Sequence, residues 1–407
     1  MDIKPTSERE RNLSQMDFFL LWAGAAISIM EMLSGALLAP LGLFTGVVVI
    51  LVGHAIGNTP FALACLPGQE KGVTSMVSLR FSFGTSGSKI FTLFNIMQLI
   101  GWMAVMQIVA AEAMNAITLD LFSYANRELW IVLIGVLTTL WAMSHRAWKI
   151  LNKISIAFLI VLTLVITWRV FSSFQGFNPP TEVLPMGIAL DIVIAMPISW
   201  LPLVSDYSRF AKKGSMKGTW IGYFLISSWM YFIGLISALA TGESFPTTSM
   251  LLLGLGLPAM IVILLSTVTS DYLDVYSSAA SWMNIRKTKR EKLVMGVVGA
   301  LGIVVSLLFP IDQYQNFLLL IGSLFCPLFG VVIVDYLLRR NEYSVDDALR
   351  AKGGKYWFLG GFNPLAFASW GFGMAVYWIA NLYFIGGSLP SILLASLLYL
   401  LLDRAVK

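Results

Sequence analysis

The chain has 407 residues, 57% of them hydrophobic and 12% charged, and its mean hydropathy is +0.80. A soluble domain averages about 25% charged residues, so half that share, with repeated apolar runs of about 20 residues, excludes a soluble globular protein and reads as a polytopic α-helical membrane protein. The net charge of +5 does not point to nucleic acid, because the basic residues lie between apolar runs and not in patches with interleaved aromatics.

The first 15 or so residues are polar and charged, unlike the apolar stretch of ~7–15 residues in a cleavable signal. Twelve spans follow, at roughly 17–42, 46–66, 89–117, 129–146, 153–173, 186–208, 217–239, 255–282, 293–309, 315–338, 365–386 and 389–403. Basic residues fall in alternate connections. Lys4, Arg9 and Arg11 precede the first span, and Lys71, Arg80 and Lys89 separate the second from the third. Arg146, Lys149 and Lys153 follow the fourth, Arg209, Lys212, Lys213 and Lys217 the sixth, and Arg286 to Lys292 the eighth. Arg339, Arg340, Arg350, Lys352 and Lys355 follow the tenth, and Arg404 and Lys407 end the chain. Of the remaining cations, Arg127 and Arg169 fall on the other side. The positive-inside rule then puts both termini in the cytoplasm of a cell-membrane protein. Cys65 and Cys326 lie in apolar runs and form no disulfide framework, and His54 and His145 form no ligand pattern.

The first span carries Gly24, Ser28, Glu31, Ser34 and Gly35 and ends at Pro40. Glu31, inside an apolar run, is a candidate site residue. The third span reads NIMQLIGWMAVMQIVAAEAMN, with Gln98, Gln107 and Glu112 as its polar groups. Trp102 lies near its middle, away from the interfacial belt where spanning tryptophans concentrate, and reads as a stacking platform for a flat ligand. The sixth span holds Pro197 and Pro202 in IAMPISWLPLVSDYSRF. Proline removes a backbone bond, and a broken helix survives at membrane depth only where protein or a wet cavity covers it. Interrupted first and sixth helices, five apart, are the pointer to an inverted-repeat transporter with its site at midplane; a simple proline kink is the alternative.

The eighth span, ILLSTVTSDYLDVYSSAASW over 263–282, is the most unusual. Asp271 and Asp274 are three apart and share a helix face. A mid-membrane carboxylate costs at least ~2.5–3.5 kcal/mol, so it faces a cavity, an ion, a ligand or a hydrogen bond from another helix. Asp206 and Asp335 precede arginines and read as interfacial and partly paired, and Asp191 as lying at a helix amino end. The polar stretch 340–361 reads as a cytoplasmic loop with a short amphipathic helix. No P-loop is present, so pumping would draw on an ion gradient.

Several segments carry a resemblance: RFSFG at Arg80–Gly84, Gly101–Trp102, SDYSRF at Ser205–Phe210, Thr269–Ser270 and PLFGVVIVDY at Pro327–Tyr336. Together they are similar to the nucleobase–cation symport family of cytosine, purine, allantoin and hydantoin permeases. AAISIMEMLSGALLAPLG, AMPISWLP and LDVYS most resemble its hydroxymethylpyrimidine subgroup, associated with thiamin salvage. The resemblance implies an all-α leucine-transporter fold of 5+5 inverted repeats, twelve helices in all, with helices 1 and 6 discontinuous. It divides the chain into a cytoplasmic segment 1–16, a ten-helix core 17–338, a cytoplasmic loop 339–364 and two accessory helices with a tail, 365–407. It implies a monomeric secondary transporter that takes a small pyrimidine, with no enzymatic activity, cofactor or nucleic-acid partner. It implies substrate contacts from Ser28, Glu31, Trp102, Met196, Ser199, Trp200, Asp271 and Asp274, and a Na⁺ site from carbonyls of Gly24 and Ile27 with hydroxyls of Thr269 and Ser270, a proton being the alternative coupling ion. Two departures stand out. The family's sixth-helix aromatic aligns with Pro197, with Trp200 one turn later, and its eighth-helix asparagine is unmatched, with Asp274 one position earlier.

Overall fold

The computed structural model of the chain describes residues 3–144, 148–172, 183–243, 256–350 and 352–406, with positions 245, 248, 252 and 254 between them. His145 and Arg146 lie outside the described residues. Apolar runs become helices: α1 Gln15–Ala26, α2 Ile29–Ala36, α3 Gly42–Leu63, α4 Leu66–Lys71, α5 Ser75–Phe83, α6 Gly87–Phe122, α7 Arg127–Met143, α8 Trp148–Ser172 and α9 Met186–Trp200. They continue as α10 Val204–Ser208, α11 Ser215–Thr241, α12 Gly256–Ile285, α13 Glu291–Leu308, α14 Tyr314–Arg339, α15 Val345–Leu349, α16 Pro364–Leu382 and α17 Ser388–Val406. Eight helical stretches among the described residues are, by length and apolarity alone, able to cross a bilayer. The first span is split between α1 and α2, and the sixth between α9 and α10.

The packing has an internal two-fold. α3 lies on α9 as α11 lies on α1 and α2, α14 meets α9 as α8 meets α1, and α6 and α12 pack on each other and both on α7 and α13. This is the five-plus-five arrangement, with α16 and α17 added against α14. α2 and α11 approach closely because each offers a glycine. A Cβ on Gly35 would lie 2.1 Å from the Tyr231 carbonyl, and one on Gly234 2.0 Å from that of Met32. That approach sets the α11 side chains beside Glu31.

The two breaks have different causes. The first needs no proline. Ile27 leaves the helix (φ −77°, ψ 82°), Ser28 is extended (φ −136°, ψ 145°), and the Ser28 hydroxyl caps α2 by accepting from Met30 N at 3.2 Å. In the sixth span, α9 runs through Pro197 to Trp200, and the break is the short 3₁₀ turn Leu201–Leu203 that contains Pro202. Pro197 therefore does not interrupt its helix. The backbone entering the break finds a partner in protein, since the Ser199 carbonyl accepts from Gln98 Nε2 at 2.9 Å.

Three acidic residues are more deeply buried than the sequence reading had them, while Asp335 keeps the expected pairing with Arg339. Asp206 is buried, its Oδ1 accepting from Ser75 N. Asp335 is fully buried among four donors. Asp191 sits within α9 and caps a neighbour's amino end, accepting from Gly387 N and Ser388 N at 2.7 and 2.9 Å. At the basic end, Leu13 bridges to Ala211, and Arg80 binds the Asn284 side chain and the Ala348 carbonyl.

Candidate functional site

A chamber opens where the two breaks meet α6 and α12. Ala25, Ser28, Met30 and Glu31 come from the first span, and Leu99, Trp102 and Met106 from α6. Met196, Ser199 and Trp200 come from α9, and Ser270 and Asp274 from α12. About 380 Å³ of space, the mouth included, lies between them, but only about 20 Å³ of it admits the centre of a water-sized sphere, so the chamber is nearly closed. Seven residues expected from the sequence to contact a substrate are thus on one wall or another: Ser28, Glu31, Trp102, Met196, Ser199, Trp200 and Asp274.

Asp271 is not among them. Its Oδ2 accepts from Gln107 Nε2 at 3.2 Å, and Gln107 Oε1 accepts from Ser306 Oγ at 2.8 Å. At about 100° per residue, positions three apart differ by about 60° around the helix. In a chamber this narrow that offset is enough to turn Asp271 toward α6 and α13 while Asp274 faces inward.

A buried polar atom without a hydrogen-bond partner in the protein calls for an explanation, in a ligand, an ion, a water or strain. Asp274 Oδ2, Ser270 Oγ and Trp102 Nε1 are three such atoms, all on chamber residues. Trp102 is held edge-on by Tyr314 and Phe317, with centroids 6.1 and 5.3 Å away. Gly101 makes room for this, since a Cβ there would come within 2.6 Å of the Phe317 ring. On the opposite side, Trp200 Nε1 donates to Tyr223 Oη at 2.8 Å, and Tyr223 Oη to Glu31 Oε1 at 2.5 Å. Ser227 Oγ lies 2.7 Å from Glu31 Oε2 and 2.5 Å from His54 Nε2, and His54 Nδ1 lies 2.9 Å from the Ile50 carbonyl.

Tyr223, Ser227 and His54 were not singled out from the sequence. The available signal was His54 itself, an ionisable residue inside an apolar run. For the expected cation set, the first-span break leaves Gly24 O accepting a long bond from Ile27 N at 3.3 Å. Thr269 Oγ1 donates back to the Leu265 and Ser266 carbonyls at 2.9 and 3.0 Å, whereas Ser270 Oγ has no partner. α1 packs on α12, so the two halves of this oxygen set are on neighbouring helices. Neutral oxygens suit a hard cation.

Residues 5–399 match the family described as permease for cytosine/purines, uracil, thiamine, allantoin. The chain is 26% identical over 305 residues to the cytosine permease of Escherichia coli (strain K12), covering 72% of this chain and 71% of that protein. It is 24% identical over 431 residues to the hydantoin permease of Microbacterium maritypicum, covering 96% and 86%. Among solved structures it is similar to Mhp1, a nucleobase-cation-symport-1 family transporter, in a closed conformation with bromovinylhydantoin bound. There the TM-score is 0.86 at 21% identity, over 100% of this chain and 95% of that one. The inward-facing conformation of Mhp1 gives a TM-score of 0.79 at 22% identity, over 99% and 93%.

Proposed function

This chain belongs to the family of permeases for cytosine/purines, uracil, thiamine and allantoin, and from that premise we propose that it imports a pyrimidine by alternating access, coupled to a cation. The substrate is an aminopyrimidine, most specifically hydroxymethylpyrimidine destined for thiamin salvage. The observation behind this reading is Asp274 Oδ2, buried in the chamber with no partner. A carboxylate accepts from an exocyclic amine and, when the adjacent ring nitrogen is protonated, from both at once. Uracil would present carbonyl oxygens to it instead, a repulsive contact. Trp102 supplies the flat surface for the ring, and its free Nε1 a donor to the substrate edge.

Cytosine has the same amine beside a ring nitrogen, and the similarity to a cytosine permease favours it as the second reading. The co-transported ion is Na⁺, taken by the Gly24 and Ile27 carbonyls together with the Thr269 and Ser270 hydroxyls. Its entry joins α1 to α12 and links ion binding to the closing of the chamber. A proton is the alternative. The core spans 17–338, and both termini lie in the cytoplasm, as the clustering of Arg11, Arg80 and Lys212 at one end supports.

The test is uptake of labelled cytosine into proteoliposomes, with unlabelled hydroxymethylpyrimidine, cytosine, uracil and adenine as competitors. Hydroxymethylpyrimidine should compete best, uracil poorly, and uptake should follow an imposed Na⁺ gradient. Equal competition by uracil would remove the aminopyrimidine assignment. Uptake that follows a pH gradient without Na⁺ would replace the ion.

A further inference from the structure

Behind the chamber wall three side chains from three spans form a continuous line: Glu31 on α2, Ser227 on α11 and His54 on α3. All three are buried, Glu31 at 2% exposure and the other two at 0%. Counting hydrogens restricts their protonation. The Ile50 carbonyl carries none, so its 2.9 Å contact with His54 is a bond only when Nδ1 is protonated. Tyr223 receives the Trp200 N–H, and its own hydrogen goes to Glu31 Oε1. Ser227 has one hydrogen and two partners, so one of those partners must donate to it.

Two arrangements satisfy every contact. In one, Glu31 Oε2 is protonated and donates to Ser227, which donates to Nε2 of a neutral His54. In the other, His54 is an imidazolium donating to Ser227, which donates to a Glu31 carboxylate. We propose that Glu31 and His54 hold one proton in common and pass it through the Ser227 hydroxyl, so that the chamber can present either carboxyl or carboxylate to a substrate without exchanging a proton with water. In the transfer, Glu31 Oε2–H breaks as a new Ser227 Oγ–H forms, and the old Ser227 O–H breaks as His54 Nε2–H forms. Net charge stays at zero and Ser227 is regenerated.

In both arrangements Glu31 offers the chamber an acceptor: a neutral carboxyl while its hydrogen is donated to Ser227, and a carboxylate backed by an imidazolium once the proton has moved, so a substrate edge offering N–H is held more tightly after the transfer. Burial favours the neutral arrangement, since a buried ion pair carries a desolvation penalty. The other ionisable groups facing the line are Tyr223 and Tyr231 from α11, the latter edge-on to the His54 ring at 4.7 Å, Tyr314 from α14, whose hydroxyl meets Ser34 on the helix that carries Glu31, and Asp274 across the chamber. The transport consequence rests on the permease reading; the proton count does not.

The experiment uses the full chain in lipid bilayers, with ¹⁵N-histidine and ¹³C-glutamate labels and H54Q and E31Q to assign the signals. In the ligand-free protein Nδ1 of His54 should carry hydrogen, and Glu31 and His54 should be both neutral or both ionised. A bare Nδ1, or a neutral imidazole beside an ionised Glu31, would overturn the proposal. Cytosine then serves as probe. Glutamine at 54 can accept from Ser227 but cannot take the proton, so cytosine affinity in H54Q should weaken by about tenfold per pH unit on the acid side, with a flatter profile in the wild type. Identical profiles would also overturn it. Should cytosine bind to no form of the protein, the substrate assignment fails, while the spectra still decide the proton count.

Discussion

Asp335 on α14 and Asp274 on α12 are buried to the same degree, at 0% and 2% exposure, and have opposite surroundings. Asp335 Oδ2 accepts from Ser82 Oγ at 2.7 Å and Tyr343 Oη at 2.5 Å, while Oδ1 accepts from Arg339 at 2.7 Å and Tyr399 Oη at 3.0 Å. Four donors from α5, α14, α17 and the loop before α15 converge on it. Asp274 Oδ2 has none. Burial alone therefore does not separate these two carboxylates; what sets Asp274 apart is an unmet acceptor on a residue that lines the chamber. Asp335 ties the basic end of the bundle together, whereas Asp274 brings an acceptor that no group of the protein satisfies to the chamber wall.

Exchanging each for asparagine tests that contrast. D274N should have the largest effect. It keeps the shape but removes the charge and one acceptor, so uptake of an aminopyrimidine should be abolished at equal expression, with thermal stability unchanged or raised because no bond within the protein is lost. Unchanged uptake would remove Asp274 from substrate selection. D335N should do the reverse. An amide cannot accept from four donors and faces Arg339 without a charge, so stability should fall by about 2–4 kcal/mol, the scale for breaking a buried charged network. It reads out as a lower Tm in detergent, with transport per folded molecule little changed. If D335N instead silenced transport at full stability, the split between structural and ligand-seeking carboxylates would fail.

The sequence carried the spans well, because an apolar run of membrane length has few other fates. α6, expected at 89–117, is Gly87–Phe122, and α11, expected at 217–239, is Ser215–Thr241. It carried the breaks less well. Pro197 drew attention yet lies inside a continuous helix, while the first break rests on a serine cap with no proline at all. The inverted repeat was readable from the order of the spans, since what repeats is the packing. The Glu31–Ser227–His54 line was not readable, because Ser227 and His54 are 173 positions apart and meet only where α3 packs on α11. Each residue alone is an ordinary polar intrusion into a span.

Asp271 gives the smallest expected effect and the sharpest check on the comparison. It lies between the two extremes, with Oδ2 accepting from Gln107 and Oδ1 without a partner. Asparagine at 271 retains a carbonyl oxygen for Gln107, so the link through Gln107 to Ser306 survives. Because the residue points away from the chamber, D271N should change apparent substrate affinity by less than about 1.4 kcal/mol, under tenfold, where D274N abolishes uptake. Exchange of labelled for unlabelled substrate across the membrane, with no gradient, isolates binding and helix motion from ion coupling. D271N should preserve exchange and gradient-driven uptake alike. Loss of gradient-driven uptake with exchange intact would put Asp271 on the path of the coupling ion. Its unmet Oδ1 would then mark an ion position, as the unmet Oδ2 of Asp274 is proposed to mark the substrate, and the contrast between Asp335 and Asp274 would extend from one ligand to two.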